Sequence, residues 1–473
     1  MYRIVIDQST SASKAMLFDE DCLISRVDKK HEQIYPFEGY VEHNPNEIVS
    51  NVKFIIEEII RQNNLKYSDI LSLSITNQRE TSLAWKKSSG RPIYNAIVWQ
   101  CGRTSDYCKE MQVHNAFVNK ITGLRVDNYF SAPKFNWIMS NVEEARTLAE
   151  NEDLCLGTIE SWLIYHLSEE KNFFTDISNA SRTLLMDIEK NEWSQEMINL
   201  FELPKSALAQ IKLPDEKFGH YKGIPITGVI ADSQAALYAQ DLKLKSEVKV
   251  TMGTGSSIMV NTEEESFKNL TVLTALYHCQ QGKNLYALEG IIKSFGDTIE
   301  FVKENLETFK NYNAIFDYTF SKESQGGIIY IPGQYGLGCP YWKEDVGCHI
   351  LGLSRKSKKE DIAAAAIKSL AFQIKLVIDE LEKILNTTIT KIKVDGGMSK
   401  QAVFVQFIAN LTQKEIEILD IEEASAFGAL KVITDYQVKT ENSRSFLAQS
   451  LDEIEFLNYE KWKDMLELLL NEN

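Results

Sequence analysis

Asp7-Gln8-Ser9-Thr10-Ser11-Ala12-Ser13 separates two apolar runs, residues 4–6 and 15–18. Apolar runs on either side of a polar, small-residue stretch read as two strands joined by a turn. Roughly half the chain later, Met252-Gly253-Thr254-Gly255-Ser256-Ser257 stands in the same setting, after the strand-like residues 249–252 and before another apolar run. Both turns are rich in hydroxyls and small side chains, so their backbone N–H groups can approach a phosphate closely. Two such hairpins, one per half, predict two related α/β domains facing a cleft. Each taken singly is also an ordinary β-hairpin turn, and neither is a GxxxxGKS/T loop. In the first, Asp7 at the strand end would hold water on a magnesium ion, and Lys14 would offset phosphate charge.

Outward from these hairpins the pattern stays mixed. Residues 70–75 read as a buried strand ending at polar Thr76-Asn77-Gln78-Arg79-Glu80. Groups just past the carboxyl end of a strand are where open α/β sheets build their sites. Arg79 offers a fork of donors and Glu80 a pair of acceptors, which suits adjacent hydroxyls of a polyol; a surface ion pair is the alternative. Ile230-Ala231-Asp232-Ser233-Gln234-Ala235-Ala236 sets a carboxylate where a strand gives way to a helix. Asp232 there is a candidate general base for a hydroxyl and equally a helix N-cap. Val394-Asp395-Gly396-Gly397-Met398-Ser399 lies between a strand and a helix, where a double glycine lets a planar ligand or phosphate approach the helix N-terminus. Helical periodicity starts at Asn44-Pro45 and recurs over residues 361–385, 401–411, 422–433 and 459–470.

Length and composition narrow the class. At roughly 100–200 residues per domain, 473 residues predict two to four domains. Hydrophobic residues at 44% and charged residues at 25% are those of a globular protein. The net charge of -16 argues against a nucleic-acid binder and against docking on anionic membranes. Seven scattered cysteines without a CxxC pair predict a reduced, cytoplasmic chain with neither a disulfide framework nor a zinc site. The seven histidines lack metal-ligand spacing. No apolar stretch approaches the length of a membrane span.

Taken together, these segments resemble the FGGY carbohydrate kinases. The resemblance is ordered along nearly the whole chain. It runs through Gly39-Tyr40-Val41-Glu42-His43-Asn44-Pro45, Thr76-Asn77-Gln78-Arg79-Glu80-Thr81, Asn95-Ala96-Ile97-Val98-Trp99-Gln100, Tyr129 to Lys134 and Asn179-Ala180-Ser181-Arg182-Thr183. It continues through Gly253-Thr254-Gly255, Ala287-Leu288-Glu289-Gly290, Ser369-Leu370-Ala371-Phe372-Gln373 and Val394-Asp395-Gly396-Gly397.

The resemblance implies two actin-like, RNase H-like domains flanking an ATP and substrate cleft. Residues 1–244 would bind substrate and residues 245–473 the nucleotide. It implies ATP-dependent, magnesium-assisted phosphorylation of a terminal hydroxyl of a small polyol, glycerol first. Arg79, Glu80, Tyr129 and Asp232 would bind substrate hydroxyls, Trp99 would wall the carbon face, and Asp232 would be the base. Thr10, Ser11, Lys14 and Thr254 would contact phosphates, with Asp7 near magnesium. Gly296, Gly397 and Gln401 would lie around the nucleotide. The partners are a small polyol or sugar and, as an assembly, a homodimer.

Departures from the family pattern sharpen these expectations. Ser233 stands for an amide and Ser257 for an aromatic residue, which predicts a pocket wider at one end. That in turn predicts weak glycerol turnover or a better four- or five-carbon polyol or ketose. An actin-like ATPase without a sugar substrate and a sugar-binding regulator are the readings from other classes. Some bacterial members carry a regulatory insertion before the catalytic-Asp strand, binding fructose bisphosphate or presenting a phosphorylated histidine. Here Phe218-Gly219-His220-Tyr221-Lys222-Gly223 passes almost directly to Ile224, so that loop is expected to be missing.

Overall fold

The computed structural model describes all residues except 21, 243, 322, 325, 419–422, 435–442 and 473. They form two compact units. The first comprises Met1–Asp241, Thr262–Ala287 and Glu423–Val438; the second comprises Leu242–Asn261, Leu288–Glu422 and Lys439–Asn473. The chain changes over at Asp241/Leu242, and two later segments return to the first unit. Their apolar side chains find their partners there. Ala426, Ala429, Leu430 and Val432 pack with Val5, Met16, Phe18 and Ile230. Leu276, Cys279 and Tyr286 pack with Ile177, Ala180, Met186 and Ile188.

The first unit is built on strands β1 (Tyr2–Gln8), β2 (Ala12–Asp19), β3 (Cys22–Lys30), β4 (Ile70–Asn77), β5 (Lys217–Tyr221) and β6 (Ile224–Ala231), in the sheet order β5-β6-β4-β1-β2-β3. β1, β2 and β3 form an antiparallel meander, and β1, β4 and β6 run parallel. Successive side chains on a strand point to opposite faces. Ile4, Ile6, Ala15 and Leu17 accordingly enter the core with the helix Pro45–Gln62, while Val5, Met16 and Phe18 enter the core with the helix Ala424–Val432. Burial on both faces is why these strands read as unbroken apolar runs. The Asn44 side chain caps the helix Pro45–Gln62, accepting from the N–H groups of Asn46 (3.0 Å) and Glu47 (3.4 Å).

Register then places the functional residues. Asp7 pairs with Lys14 on β2 and Thr76 on β4, and Thr76 pairs with Ile230 on β6. Asp7, Arg79 and Asp232 therefore emerge at one edge of the sheet, at the carboxyl ends of three parallel strands.

In the second unit, β7 (Glu247–Met252) and β8 (Ser256–Glu263) form the other hairpin. β7 runs parallel to β9 (Lys391–Asp395), and β9 to β10 (Glu415–Ile418). A hairpin whose first strand is continued by two parallel strands repeats the first unit's β2-β1-β4-β6 pattern, the arrangement expected of paired RNase H-like cores. The helix Lys359–Leu385 covers residues 361–385 as the periodicity indicates. The last helix, Glu453–Glu472, begins six residues before Tyr459. Its first turns expose Ile454, Phe456 and Leu457, so the buried stripe of Tyr459, Trp462 and Leu466 starts only later. The helix expected over residues 422–433 is Ala424–Val432; Glu422 lies outside the described residues. Among the described residues no helix is long and apolar enough to cross a membrane.

One close approach sets the position of the helix Asp232–Gln240. A Cβ on Gly428 would lie 1.8 Å from the carbonyl oxygen of Ala235. Gly428→Ala must separate the two helices, at a cost of about 1–3 kcal/mol. Urea unfolding should show that loss; a change below about 0.5 kcal/mol, the range of an ordinary surface substitution, would mean the helices part freely.

Candidate active site

Arg79 and Glu80 follow β4 and are 5% and 1% exposed, so they are not a surface ion pair. Arg79 Nε lies 3.8 Å from Glu80 Oε1 and 3.4 Å from Asp232 Oδ1. Arg182 Nε donates to Glu80 Oε1 at 2.6 Å. Buried Glu80 thus sits between two guanidinium groups, while half-buried Asp232 faces Arg79. Asp232 is the first residue of its helix, and the N-cap is Ala231. The N-cap role therefore does not hold for Asp232: its side chain accepts the adjacent Ser233 N–H (2.6 Å), and the same oxygen faces Arg79. Burial pushes its pKa up to about 6; Arg79 opposes that shift, and Glu80 and Asp7 add to it. A carboxylate with a raised pKa is a better proton acceptor near neutral pH.

Tyr129 and Trp99 stand side by side, ring centroids 5.3 Å apart. The loop carrying Tyr129 is fixed from beneath by fully buried Lys134, whose Nζ donates to the carbonyls of Asn128 (2.5 Å), Tyr129 (2.7 Å) and Phe130 (2.9 Å). Burial lowers the Lys134 pKa to about 8.

Beneath Asp232 lies a polar network whose pairing the sequence reading did not give, although it quoted Asn77 and Asn179. Asn77 bonds Asn179 and Glu160, and Asn179 bonds Asp176. Asp176 accepts from the Ser178 hydroxyl, whose oxygen accepts the Ala231 N–H at 2.9 Å. Burial, with the nearby Glu160 charge, pushes the Asp176 pKa up to about 7. The backbone entering Asp232 is therefore held by a side chain from the Asn179-to-Thr183 neighbourhood. Glu160 carries no local motif that would reveal this.

At the first hairpin, Ser9 closes the turn, donating from both N (2.9 Å) and Oγ (3.0 Å) to the Ala12 carbonyl. Ser11 is exposed at its tip. Gln33 Nε2 donates to the Thr10 carbonyl (2.7 Å), and Trp99 Nε1 donates to the Thr10 hydroxyl (3.0 Å). Asp7 is 5% exposed and accepts from Lys14 Nζ (3.5 Å) and Ser425 Oγ (3.2 Å). Lys14 Nζ also donates to Glu423 at 2.8 Å, and Glu423 bonds Arg26 as well. Burial works to lower the Lys14 pKa, but Asp7 and Glu423 together raise it. Glu423 is the residue sequence reasoning missed here, because it lies in a segment far along the chain from Lys14. Among the described residues no three His, Cys, Asp or Glu side chains cluster into a metal site. A single buried carboxylate beside the hydroxyls of the hairpin fits a magnesium ion that keeps its waters and takes phosphate oxygens.

The second unit holds a cavity of about 440 Å³ lined by Thr254, Gly296, Asp297, Tyr312, Gly397 and Gln401 among others. It brings together the four residues expected around the nucleotide in this half. The hairpin carbonyls anchor its rim: Gly296 N donates to Gly253 O (3.0 Å), and Phe295 N and Asp297 N donate to Thr254 O (3.0 and 3.2 Å). At the double glycine the two residues differ. Gly396 has φ +92° and a Cβ there would lie 2.6 Å from the Met252 carbonyl oxygen, whereas a Cβ on Gly397 would meet nothing within 4 Å. Gly396 makes the turn and Gly397 opens onto the cavity, a cradle that fits a planar ligand. Ser257 does not line this cavity. It is buried and its hydroxyl donates to Glu289 Oε1 at 2.7 Å.

β5 and β6 are joined by Lys222 and Gly223 alone, both at positive φ (47° and 80°). A two-residue turn of this kind leaves no room for an insertion. His220 lies on β5 with Nδ1 2.6 Å from Glu170 Oε1. Activity should therefore not respond to fructose bisphosphate; a saturable inhibition curve in a steady-state assay would contradict this.

The geometry agrees with comparisons to known proteins. Residues 2–238 match the N-terminal domain of the FGGY family of carbohydrate kinases, and residues 248–433 match its C-terminal domain. The chain is 37% identical over 492 residues to glycerol kinase 1 of Thermotoga maritima, covering 100% of both chains. It is 38% identical over 440 residues to a glycerol kinase of Clostridium perfringens, covering 90% of this chain and 88% of that one. The crystal structure of Plasmodium falciparum glycerol kinase with ADP superposes with a TM-score of 0.87 at 30% identity, covering 98% of each chain. A xylulose kinase of Lactobacillus acidophilus, 18% identical with a TM-score of 0.84 over 99% of this chain and 98% of its own, shares the fold. With both family domains matched in order and relatives of this identity along the whole length, the chain belongs to the FGGY family of carbohydrate kinases.

Proposed function

We propose that this enzyme transfers the γ-phosphoryl group of ATP to a terminal hydroxyl of glycerol, giving glycerol 3-phosphate. The observation that carries the reading is the Asp232 carboxylate held against Arg79 at 3.4 Å, beside buried Glu80. Arg79 donates to, and Glu80 accepts from, neighbouring hydroxyls, fixing the polyol. Tyr129 adds a hydroxyl and Trp99 an apolar wall. Asp232, ionised above a pKa of about 6, takes the proton of the terminal hydroxyl as that oxygen attacks phosphorus. Thr10, Ser11, Lys14 and Thr254 orient the phosphates, and Asp7 is the residue that would hold magnesium, through water. Magnesium, when bound, neutralises charge developing on the phosphate oxygens. Gly296, Gly397 and Gln401 receive the nucleotide.

We assign substrate binding to the domain ending near residue 244 and nucleotide binding to the remainder. The scattered cysteines support a cytoplasmic location, and a homodimer is the assembly we assign.

The wider-pocket expectation rests on the space that Ser233 and Ser257 leave at one end and on the hydroxyls they offer to a longer substrate. The Ser257 proton is committed to Glu289, so Ser257 offers a longer substrate an acceptor but no donor, which supports glycerol as the first choice. The test is kcat/KM from coupled ADP release with glycerol, erythritol, xylitol and xylulose. Glycerol is expected to lead; a better C4–C5 substrate would replace this reading with the wider-pocket kinase, and polyol-independent ATP turnover would replace it with an ATPase.

A further inference from the structure

Trp99 occupies two places at once in the first unit. Its ring stands beside Tyr129, 5.3 Å between centroids, on the polyol side. Its indole N–H reaches Thr10 Oγ1 at 3.0 Å, on the phosphate hairpin. An indole nitrogen donates and never accepts, and a threonine hydroxyl has one proton. In this pair the Thr10 oxygen must therefore accept, and its own proton must point elsewhere. Among the described residues no side chain or carbonyl receives that proton. The Thr10 carbonyl is meanwhile tied by Gln33 Nε2 at 2.7 Å, and Gln33 by His43 at 2.8 Å, so the hairpin is held on both sides of the hydroxyl. Trp99 is itself anchored through its backbone N–H, which donates to Thr81 Oγ1 at 3.3 Å; Thr81 in turn donates to Gln78 Oε1 at 2.9 Å.

We propose that Trp99 is a positioning residue for phosphoryl transfer, its indole N–H fixing the Thr10 hydroxyl as a donor to the phosphate of the bound nucleotide. This rests on the polyol-kinase reading above, and it goes beyond the contact of the Trp99 ring with substrate carbons. With the N–H removed, the Thr10 hydroxyl is free to rotate, and part of the time it presents a lone pair to the phosphate and repels it. The ring surface offered to the polyol is unchanged by that loss. The signature is accordingly a fall in kcat, and a rise in KM for ATP, without a matching change in KM for glycerol.

The experiment compares wild type, Trp99→Phe, Thr10→Val, Thr10→Ser and the double variant Trp99→Phe with Thr10→Val, by coupled ADP release with glycerol and MgATP. Trp99→Phe should lose about 3- to 10-fold in kcat, the worth of one hydrogen bond. Phenyl is smaller than indole, so the kcat of this variant, and not its KM for glycerol, reports on the lost N–H. Thr10→Val should lose at least as much, the double variant should be no worse than Thr10→Val, and Thr10→Ser, which restores a hydroxyl, should recover part of what Thr10→Val loses. Replacing Trp99 with 3-benzothienylalanine keeps the ring shape and lacks the N–H; it should show the same loss in kcat with KM for glycerol within about twofold, a change worth less than the weakest such bond, and it decides the matter if the phenylalanine variant folds poorly. Multiplicative losses in the double variant, or a loss confined to KM for glycerol, would overturn the proposal while leaving the kinase reading intact. A wild-type enzyme that releases no ADP in response to glycerol would remove the reading on which both stand.

Discussion

Asp232→Asn should lower kcat by about 10²–10⁴-fold, the usual worth of a positioned general base. The change is isosteric, so the helix start and the contact with Arg79 stay in place and Tm should hardly move. The pH profile offers a second reading of the same residue. Asp232 works as a base only when ionised, and burial has raised its pKa to about 6. Wild-type kcat/KM should therefore be flat above that pH and fall tenfold per unit below it, while the residual rate of Asp232→Asn should lack this limb. An Asp232→Asn enzyme with wild-type turnover would reduce Asp232 to a structural carboxylate. A wild-type acid limb near pH 4 would show that Arg79 outweighs burial.

Arg182→Met should be the most damaging change to the first unit's stability. Arg182 is 0% exposed, and its Nε holds Glu80, itself 1% exposed, at 2.6 Å. With both partners sealed from water, screening is negligible. Removing the cation leaves a buried carboxylate with only the more distant Arg79, at a cost of about 3–5 kcal/mol. For a unit of this size that corresponds to a fall in Tm of roughly 10 °C. KM for the polyol should rise too, because Glu80 loses the partner that orients it. Adding Glu80→Gln to Arg182→Met should restore part of the stability but none of the activity. A loss in Arg182→Met below about 1 kcal/mol, typical of an exposed pair, would show that water reaches Glu80.

These two residues differ in how far they could be read in the sequence. Asp232 stands where an apolar strand meets a small-residue helix, a position visible from eleven or so neighbours. Arg182 lies in the Asn179-to-Thr183 segment, whose resemblance to the family is plain but whose partner is not. Nothing near Arg182 in sequence says that its guanidinium meets a carboxylate 102 positions earlier. Glu423 is a stronger case: it meets Lys14 across 409 positions, and no spacing rule reaches that far. The same limit explains the chain's two returning segments. Residues such as Ala429 and Leu276 read as generic apolar positions, and only packing decides which core takes them.

What the sequence determined by itself was the local grammar. Two hydroxyl-rich turns between apolar runs, a proline after Asn44 and a double glycine after a buried strand set the hairpins, a helix start and a nucleotide-side turn, because backbone sterics and the period-2 and 3.6-residue patterns act over a few residues. That suffices to place Asp7, Arg79 and Asp232 at strand ends. Only the tertiary structure decided what those ends do. Sheet register aligned Asp7, Thr76 and Ile230 in one row. Burial then set the charges against one another: Asp232 raised by desolvation yet held by Arg79, and Lys14 kept charged by Asp7 and Glu423. Electrostatic energy depends on separation and on the surrounding dielectric, and neither exists until the chain has closed on itself.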